Sequence, residues 1–247
     1  MSVLALTQSL SAIIPNLTSS FLGVGGTSPY SYTVRNGGAG GTINSSSGLY
    51  TAPSSVGETP QTLTDTIQVV DSVGSIATSK ILVGTPLHLF CDIIQTYMGL
   101  ADGRVYLWDQ KIMQPTDSGL YIAVSVPRCK PFANNKSYDS NGNAIQSVNV
   151  CATLDIDVIS RGPSARDLKE QVILALLSDY SESQQEANSF LIGRIPPSSA
   201  FLNISGIDGA AIPYRYKISV LMQYAVNNLE ATPYFGSFSG PTIYTNP

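Results

Sequence analysis

The chain has 247 residues, of which 43% are hydrophobic and only 12% charged, and its formal net charge is −4. That balance supports a buried core and excludes a disordered chain. It also excludes a free-standing nucleic-acid reader, which would present a basic face.

No window holds the roughly 18 consecutive apolar residues that a membrane span needs. The opening stretch MSVLALTQSLSAIIPNL has no basic leading region, and Thr7, Gln8, Ser9 and Ser11 interrupt its apolar run. We therefore expect no export signal and folding in a reducing cytosol. Cys91, Cys129 and Cys151 are odd in number and far apart, and read as isolated thiols rather than a disulfide framework.

From Val3 to Val83, short apolar runs alternate with turn residues, which predicts an all-β segment. In PYSYTVRNG, Tyr30, Tyr32 and Val34 alternate with Ser31, Thr33 and Arg35, the pattern of a half-buried strand. The following NGGAGG, Asn36 to Gly41, supplies the backbone freedom of a tight hairpin turn. A phosphate loop would need a helix start behind it and usually a lysine, and neither follows. In TINSSSGLYTAP, Ile43 points inward, Ser45 to Gly48 turn, and Leu49 and Tyr50 return to the core. DTIQVVDS and SIATSKILV then form a closing pair around Val73–Gly74. This order, and Gly48, Tyr50, Ala52 and Pro53 above all, resembles bacterial Ig-like domains. The resemblance covers residues 1–85 and implies a β-sandwich that serves as a decoration or contact module.

A change of architecture is predicted at VGTPLHLF. Thr85 suits an N-cap and Pro86 the first helical position; Leu89, Phe90, Ile93, Ile94 and Tyr97 recur at helical spacing until Gly99. RVYLWD and GLYIAVSV read as strands, and Lys130 to Gln146 as a long polar hairpin arm with Asn–Gly at its tip. In VNVCATLDIDVIS, Val148, Val150, Ala152, Leu154, Ile156 and Val158 share one face, and Asn149, Thr153, Asp155 and Asp157 the other. An amphipathic helix capped near Ser164 turns Leu168, Val172, Ile173, Leu176 and Tyr180 inward. YRYKISVLMQYAV is a closing strand with Tyr214, Tyr216, Ile218, Val220, Met222 and Tyr224 on one face. The fold class expected is therefore two domains: an all-β Ig-like sandwich over 1–85, then an α+β domain over 86–233 with helices on one side of an antiparallel sheet. An aromatic tail, 234–247, follows.

Residues 87–235 resemble the neck or tail terminator proteins of tailed bacteriophages, through the leading helix, MGLADGRVYLWDQKIMQPTDSGLYIAVSV, the long hairpin, DVISRGPSARDLKEQVILALLS and the closing strand. Gln110, Pro115, Tyr121, Gly162, Ala165 and Arg215 carry the likeness. The resemblance implies a homo-oligomeric ring, a hexamer, that terminates the tail tube and joins it to the head connector. DNA would pass through non-specifically, with no sequence-specific binding and no membrane contact. The N-terminal module and the long arm depart from the family's pattern.

No residue pattern demands catalysis, a cofactor or a metal. His88 is the only histidine, so any Ser-His-Asp or Cys-His site must use it. Its position beside an apolar helical stripe suits a structural role better. Asp155 and Asp157 are the best carboxylate pair; cross-strand pairing with Arg215 and Lys217 is the commoner explanation, and lining of a DNA channel the sharper one. Arg161, Arg166 and Lys169 gather at the start of the second helix, either as a solvated face or as intersubunit contacts. Trp108, with Tyr106, reads as core. Tyr234, Phe235, Phe238 and Tyr244 are the expected anchors of a tail lying along a neighbouring subunit. A phage structural ring accounts for both segments. The alternatives are a head-side connector or collar, an Ig-like adhesion protein binding host polysaccharide, and a sugar-cleaving tail fibre.

Overall fold

A computed structural model describes residues 3–56, 63–108, 116–138, 144–193, 200–205 and 214–230. Among them the protein is mostly β, with three sheets and three helices.

The first eight strands are β1 (Ala5–Gln8), β2 (Ala12–Ile13), β3 (Thr18–Val24), β4 (Ser31–Gly37), β5 (Thr42–Ile43), β6 (Leu49–Thr51), β7 (Thr64–Val70) and β8 (Ile76–Val83). They form two four-stranded sheets, β1-β3-β6-β5 and β2-β8-β7-β4. Phe21 and Tyr50 from one sheet meet Tyr32, Ile67, Val69 and Ile81 from the other in a shared core. Alternation holds in β4, where Tyr32 is buried and Ser31 and Thr33 are exposed. Leu49, expected inside, is exposed, because on a three-residue strand only the middle residue, Tyr50, faces the core.

The glycine-rich segment after β4 closes no hairpin. β4 pairs with β7 and β5 with β6, so the segment crosses from one sheet to the other. Its amides find their acceptor in Asp65, which is fully buried on β7. Ala39 and Gly41 donate to the carboxylate at 2.8 Å each, Gly40 at 3.3 Å, and the Tyr50 hydroxyl at 2.7 Å. A side chain at position 41 would start 2.0 Å from Tyr50 Oη, so close approach requires glycine there. The segment does cradle an anion, and that anion is the chain's own carboxylate.

Helix α1 (Pro86–Met98) begins two residues after β8. It has its N-cap at Thr85 and stops at Gly99 in the left-handed conformation, φ 61°. Leu89, Phe90, Ile93 and Ile94 are buried as the spacing predicts, whereas Tyr97, at the end of the helix, is exposed. Strands β9 (Val105–Leu107), β10 (Tyr121–Tyr138) and β11 (Ala144–Ser160) follow, then α2 (Ser164–Leu176), α3 (Asp179–Asn188), β12 (Phe190–Ile192), β13 (Leu202–Asn203) and β14 (Tyr214–Glu230). The sheet order is β12-β14-β11-β10-β9, with β13 also on β14; all pairs are antiparallel except β9 with β10. One face, carrying Leu154, Ile156, Val158, Ile218 and Val220, packs with α1 and α2 in the largest core.

What reads as one helix from Ser164 to Tyr180 is two. Ser178 ends the first and caps the second, accepting from the Ser181 amide at 3.2 Å. The break carries Tyr180 onto α3, and Leu168 is exposed on α2.

The first eight strands are clamped onto the helices. Ala12 of β2 lies in the core built by α1 and α2. Asn188 of α3 accepts from the Ile14 amide at 3.0 Å and donates to the Ala12 carbonyl at 3.3 Å. The Tyr180 hydroxyl is 2.8 Å from Ser11 Oγ and donates to Asp92 of α1 at 2.7 Å.

Candidate functional site

Two regions concern function: the polar face of the large sheet, and the outer half of its three longest strands. On the polar face, Asp157 lies opposite Lys217 and Asp155 opposite Ser219 in the β11–β14 register. Asp157 takes its shortest bonds from the diagonal neighbour Arg215, and Asp155 from Ser219 directly opposite it. Arg215 donates two bonds of 3.0 Å to Asp157, one from Nε and one from Nη2. Lys217 Nζ is 3.1 Å from Asp155, and Ser219 Oγ donates to it at 2.6 Å. Asp157 is only 3% exposed and Asp155 is partly buried. The Asp157 carboxylate raises the pKa of Arg215 further, chiefly through these hydrogen bonds.

Asp155 and Asp157, the residues expected to face a channel, are paired here with two cations of the same chain, Lys217 and Arg215. Cross-strand pairing, the commoner reading, accounts for all four side chains.

Arg215 belongs to a wider cluster drawn from the residues that carried the phage resemblance. Tyr121, buried on β10, stacks on Tyr106 of β9 with ring centroids 6.4 Å apart. Burial raises the Tyr121 pKa, partly offset by the positive charges of Arg161 and Arg215. Ala165 is fully buried at the start of α2, where its amide donates to Ser160 Oγ at 2.8 Å, and that hydroxyl bonds the Gly162 carbonyl. These residues fix the strand-to-helix corner. Gln110 and Pro115 lie outside the described residues.

The basic group at that corner is bound locally. Arg166 Nε donates to Asp167 at 2.8 Å, with both side chains more than half exposed. Lys169 pairs with Glu170 at 2.6 Å and lies 5.3 Å from the Tyr216 ring centre. Arg161 is exposed. Arg166 and Lys169 therefore have partners inside the chain, the solvated-face arrangement. Tyr234, Phe235, Phe238 and Tyr244 lie outside the described residues. Trp108 is 47% exposed while its strand neighbour Tyr106 is buried, so Trp108 is not core. Burial raises the Tyr106 hydroxyl to about 12, and it has no hydrogen-bond partner among the described residues.

The sequence legibly gave the hairpin arm, but not its third strand. β10 and β11 stay paired to Tyr138↔Ala144, and β14 runs beside β11 as far as Glu230↔Ala144. β11 alone has 17 residues, roughly 55 Å of extended chain. Every β10 residue from Pro127 to Tyr138 is exposed. Phe132, Tyr138 and Val226 are 54%, 63% and 53% exposed, and Val148, expected on the core face, is exposed as well because the helices end before the arm does. Beside the root of the arm, a groove of about 460 Å³ is lined by Leu176, Leu177, Gln185, Phe190 and Leu191. No residue pattern predicted it, since it depends on the break between α2 and α3.

His88 has the structural role expected. Its Nδ1 accepts from the Thr85 amide at 3.2 Å and lies 2.8 Å from Thr85 Oγ1, closing a capping box at the start of α1. None of the three cysteines forms a disulfide, and Cys129 Sγ lies 4.0 Å from Tyr224 Oη. Among the described residues, no three His, Cys, Asp or Glu side chains gather as a metal site would require, and no helix is long and apolar enough to cross a membrane.

No protein-family model matches the chain, and neither does any curated protein. Among solved structures, it is similar to the C-terminal 282-residue fragment of intimin in complex with the intimin-binding domain of the translocated intimin receptor. The match has 18% identity and a TM-score of 0.27 and spans 38% of each chain, a likeness too slight to carry an inference.

Proposed function

We propose that the protein is a structural virion component of a tailed bacteriophage, a ring subunit at the neck that terminates the tail tube and joins it to the head connector. The observation that carries this reading is the arm. A ribbon of three long strands extends past its helices, with apolar side chains exposed along it. Such a surface is costly to keep in water and is suited to burial against other subunits. A ring offers that burial, and repeated subunits would leave a passage for DNA along the axis. The likeness of residues 87–235 to phage terminator proteins points to the same class.

In this reading residues 1–85 form an Ig-like sandwich that decorates the neck, and residues 86–233 form the α+β domain that builds the ring. The core shared by the first two sheets and the larger core under α1 and α2 support that division. The mechanism is steric: subunits close a ring, cap the growing tube and present a docking face to the head, with no bond made or broken. Synthesis in the host cytoplasm and release by lysis would bring the module outside.

Electron microscopy of a lysate carrying a nonsense mutation in this gene tests the reading. The expected result is filled heads separated from tails of abnormal length. Leaking heads beside normal tails would identify a head-side connector instead. Intact, joined particles would remove the protein from the neck.

A further inference from the structure

We propose that the open edge of β14 at Ala225–Glu230 is a docking site for a second copy of this chain, which lays its C-terminal segment, residues 234–247, along that edge as an added strand. The inference rests on the ring assembly proposed above and names the contact that would close it.

The two edges of the arm differ in chemistry. β9 covers β10 only from Ile122 to Val124, so Ser125–Tyr138 has an open edge among the described residues. That edge is protected in the ways open strands usually are. Pro127 and Pro131 remove donors, Arg128, Lys130 and Lys136 bring charge, and register shifts fall between Ser125 and Arg128 and between Pro131 and Ala133. On the far side of the ribbon, β12 pairs with β14 only at Met222–Tyr224. Beyond Tyr224 no described strand covers β14, and of those protections only one charge, Glu230 at the end of the stretch, is present. Ala225–Glu230 has no proline and no lysine, and its pairing with β11 runs without a shift from Tyr214 to Glu230. Ala225, Val226 and Asn227 are exposed. A regular, unguarded edge is a template for another strand.

The C-terminal segment has the composition to fill it. Residues 234–247 carry no charged side chain but include Tyr234, Phe235, Phe238, Ile243 and Tyr244. Only Ala231, Thr232 and Pro233 separate them from β14, so every copy offers the segment from the end of its own arm. Folding back on its own strand would need a tight turn in Ala231–Thr232–Pro233. That turn would call for Gly, Asn or Asp at positive φ, and none is there. Fully extended, the segment spans roughly 45 Å against about 20 Å for six open residues. The excess suffices to continue into the groove floored by Phe190, the partner of Tyr224, and Leu191.

The test uses the full chain with Val226 replaced by photoreactive benzoylphenylalanine, assembled from equal amounts of light and heavy-nitrogen protein. Irradiation is followed by peptide mass spectrometry, and the mass of the assembly is measured before irradiation. We expect cross-links of mixed isotope between the peptide containing position 226 and residues 234–247. A second chain, truncated after Pro233, should lose the oligomer while keeping its circular dichroism. Same-isotope cross-links alone would mean the segment folds back on its own strand, and overturn the proposal. An oligomer that forms without this cross-link, or survives truncation, overturns it and leaves the ring reading standing. A chain that never assembles defeats both.

Discussion

Asp65 shows how one residue can organise a turn that its own sequence neighbourhood does not mark. Its carboxylate accepts from the half-buried amides of Ala39 and Gly41, from the amide of exposed Gly40, and from the Tyr50 hydroxyl, which is buried with it. Burial raises the Tyr50 pKa strongly, and the hydrogen bond and charge of Asp65 raise it further. Asp65→Ala would leave the buried Tyr50 hydroxyl and the half-buried Ala39 and Gly41 amides without their acceptor, at about 1–3 kcal/mol for each that water does not reach. Its urea midpoint should fall by the equivalent of at least about 3 kcal/mol, whereas Tyr50→Phe removes one bond and should cost about 1 kcal/mol. Equal losses for the two variants would mean that water replaces the carboxylate. The glycines of this turn were legible in the sequence, but their acceptor, 24 to 26 positions away on another strand, was not. Local spacing signals a turn; it does not signal which distant side chain fills it.

At the scale of elements, strands and caps with a local cause were the legible ones. Thr85, Pro86 and Gly99 bound α1 because capping is chemistry among near neighbours. The alternation of Val150 to Val158 fixed the two faces of β11, and with them the pairing of Asp155 and Asp157 with Lys217 and Arg215. The second helix was misread as one because Leu176, Leu177 and Tyr180 continue the helical spacing through the break. Ser178, with Asp179 and Glu182 in the next turn, is the cap signal that could have divided it. Where β14 runs out along the arm was illegible, since alternation says nothing about which neighbours end first. The arm's β10 edge carries its own prediction. Replacing Pro127, Arg128, Lys130, Pro131 and Lys136 together with threonine makes that edge neutral and free of proline. Light scattering should then show concentration-dependent aggregates that the parent chain does not form. A variant that stays as soluble as the parent would mean those residues do not guard the edge.

At the scale of the whole molecule, the joint between the first eight strands and the helices is short, with Ala12 in the core under the helices and polar bonds beside it. Only Gly84 and Thr85 separate β8 from α1; Ser11 meets Tyr180 and Asn188 bonds the β2 backbone across the joint, while Asp92 holds Tyr180 from the helix side. Burial raises the Asp92 pKa above its ordinary value, against the lowering effect of its bonds from Tyr180 and Thr96. The folded protein therefore holds this proton more tightly than the unfolded chain does. The stability that this contributes is fully present below about pH 4 and is lost as pH rises through the folded pKa. Asp92→Asn should be at least as stable as the parent at pH 7, and its advantage should shrink on acidification. Urea midpoints of both chains at several pH values check this; an advantage that grows on acidification would reverse the sign. The same joint bears on how the assembled object would look and respond to load. A module on a long tether swings, and averaging over many particles blurs it away. Held by a two-residue link, the packing of Ala12 and the bonds of Ser11, Tyr180 and Asn188, each module in a ring would keep one tilt, so averaged images should resolve them as discrete spokes. A sideways pull on a spoke would reach the ring as torque, with no slack in between to absorb it.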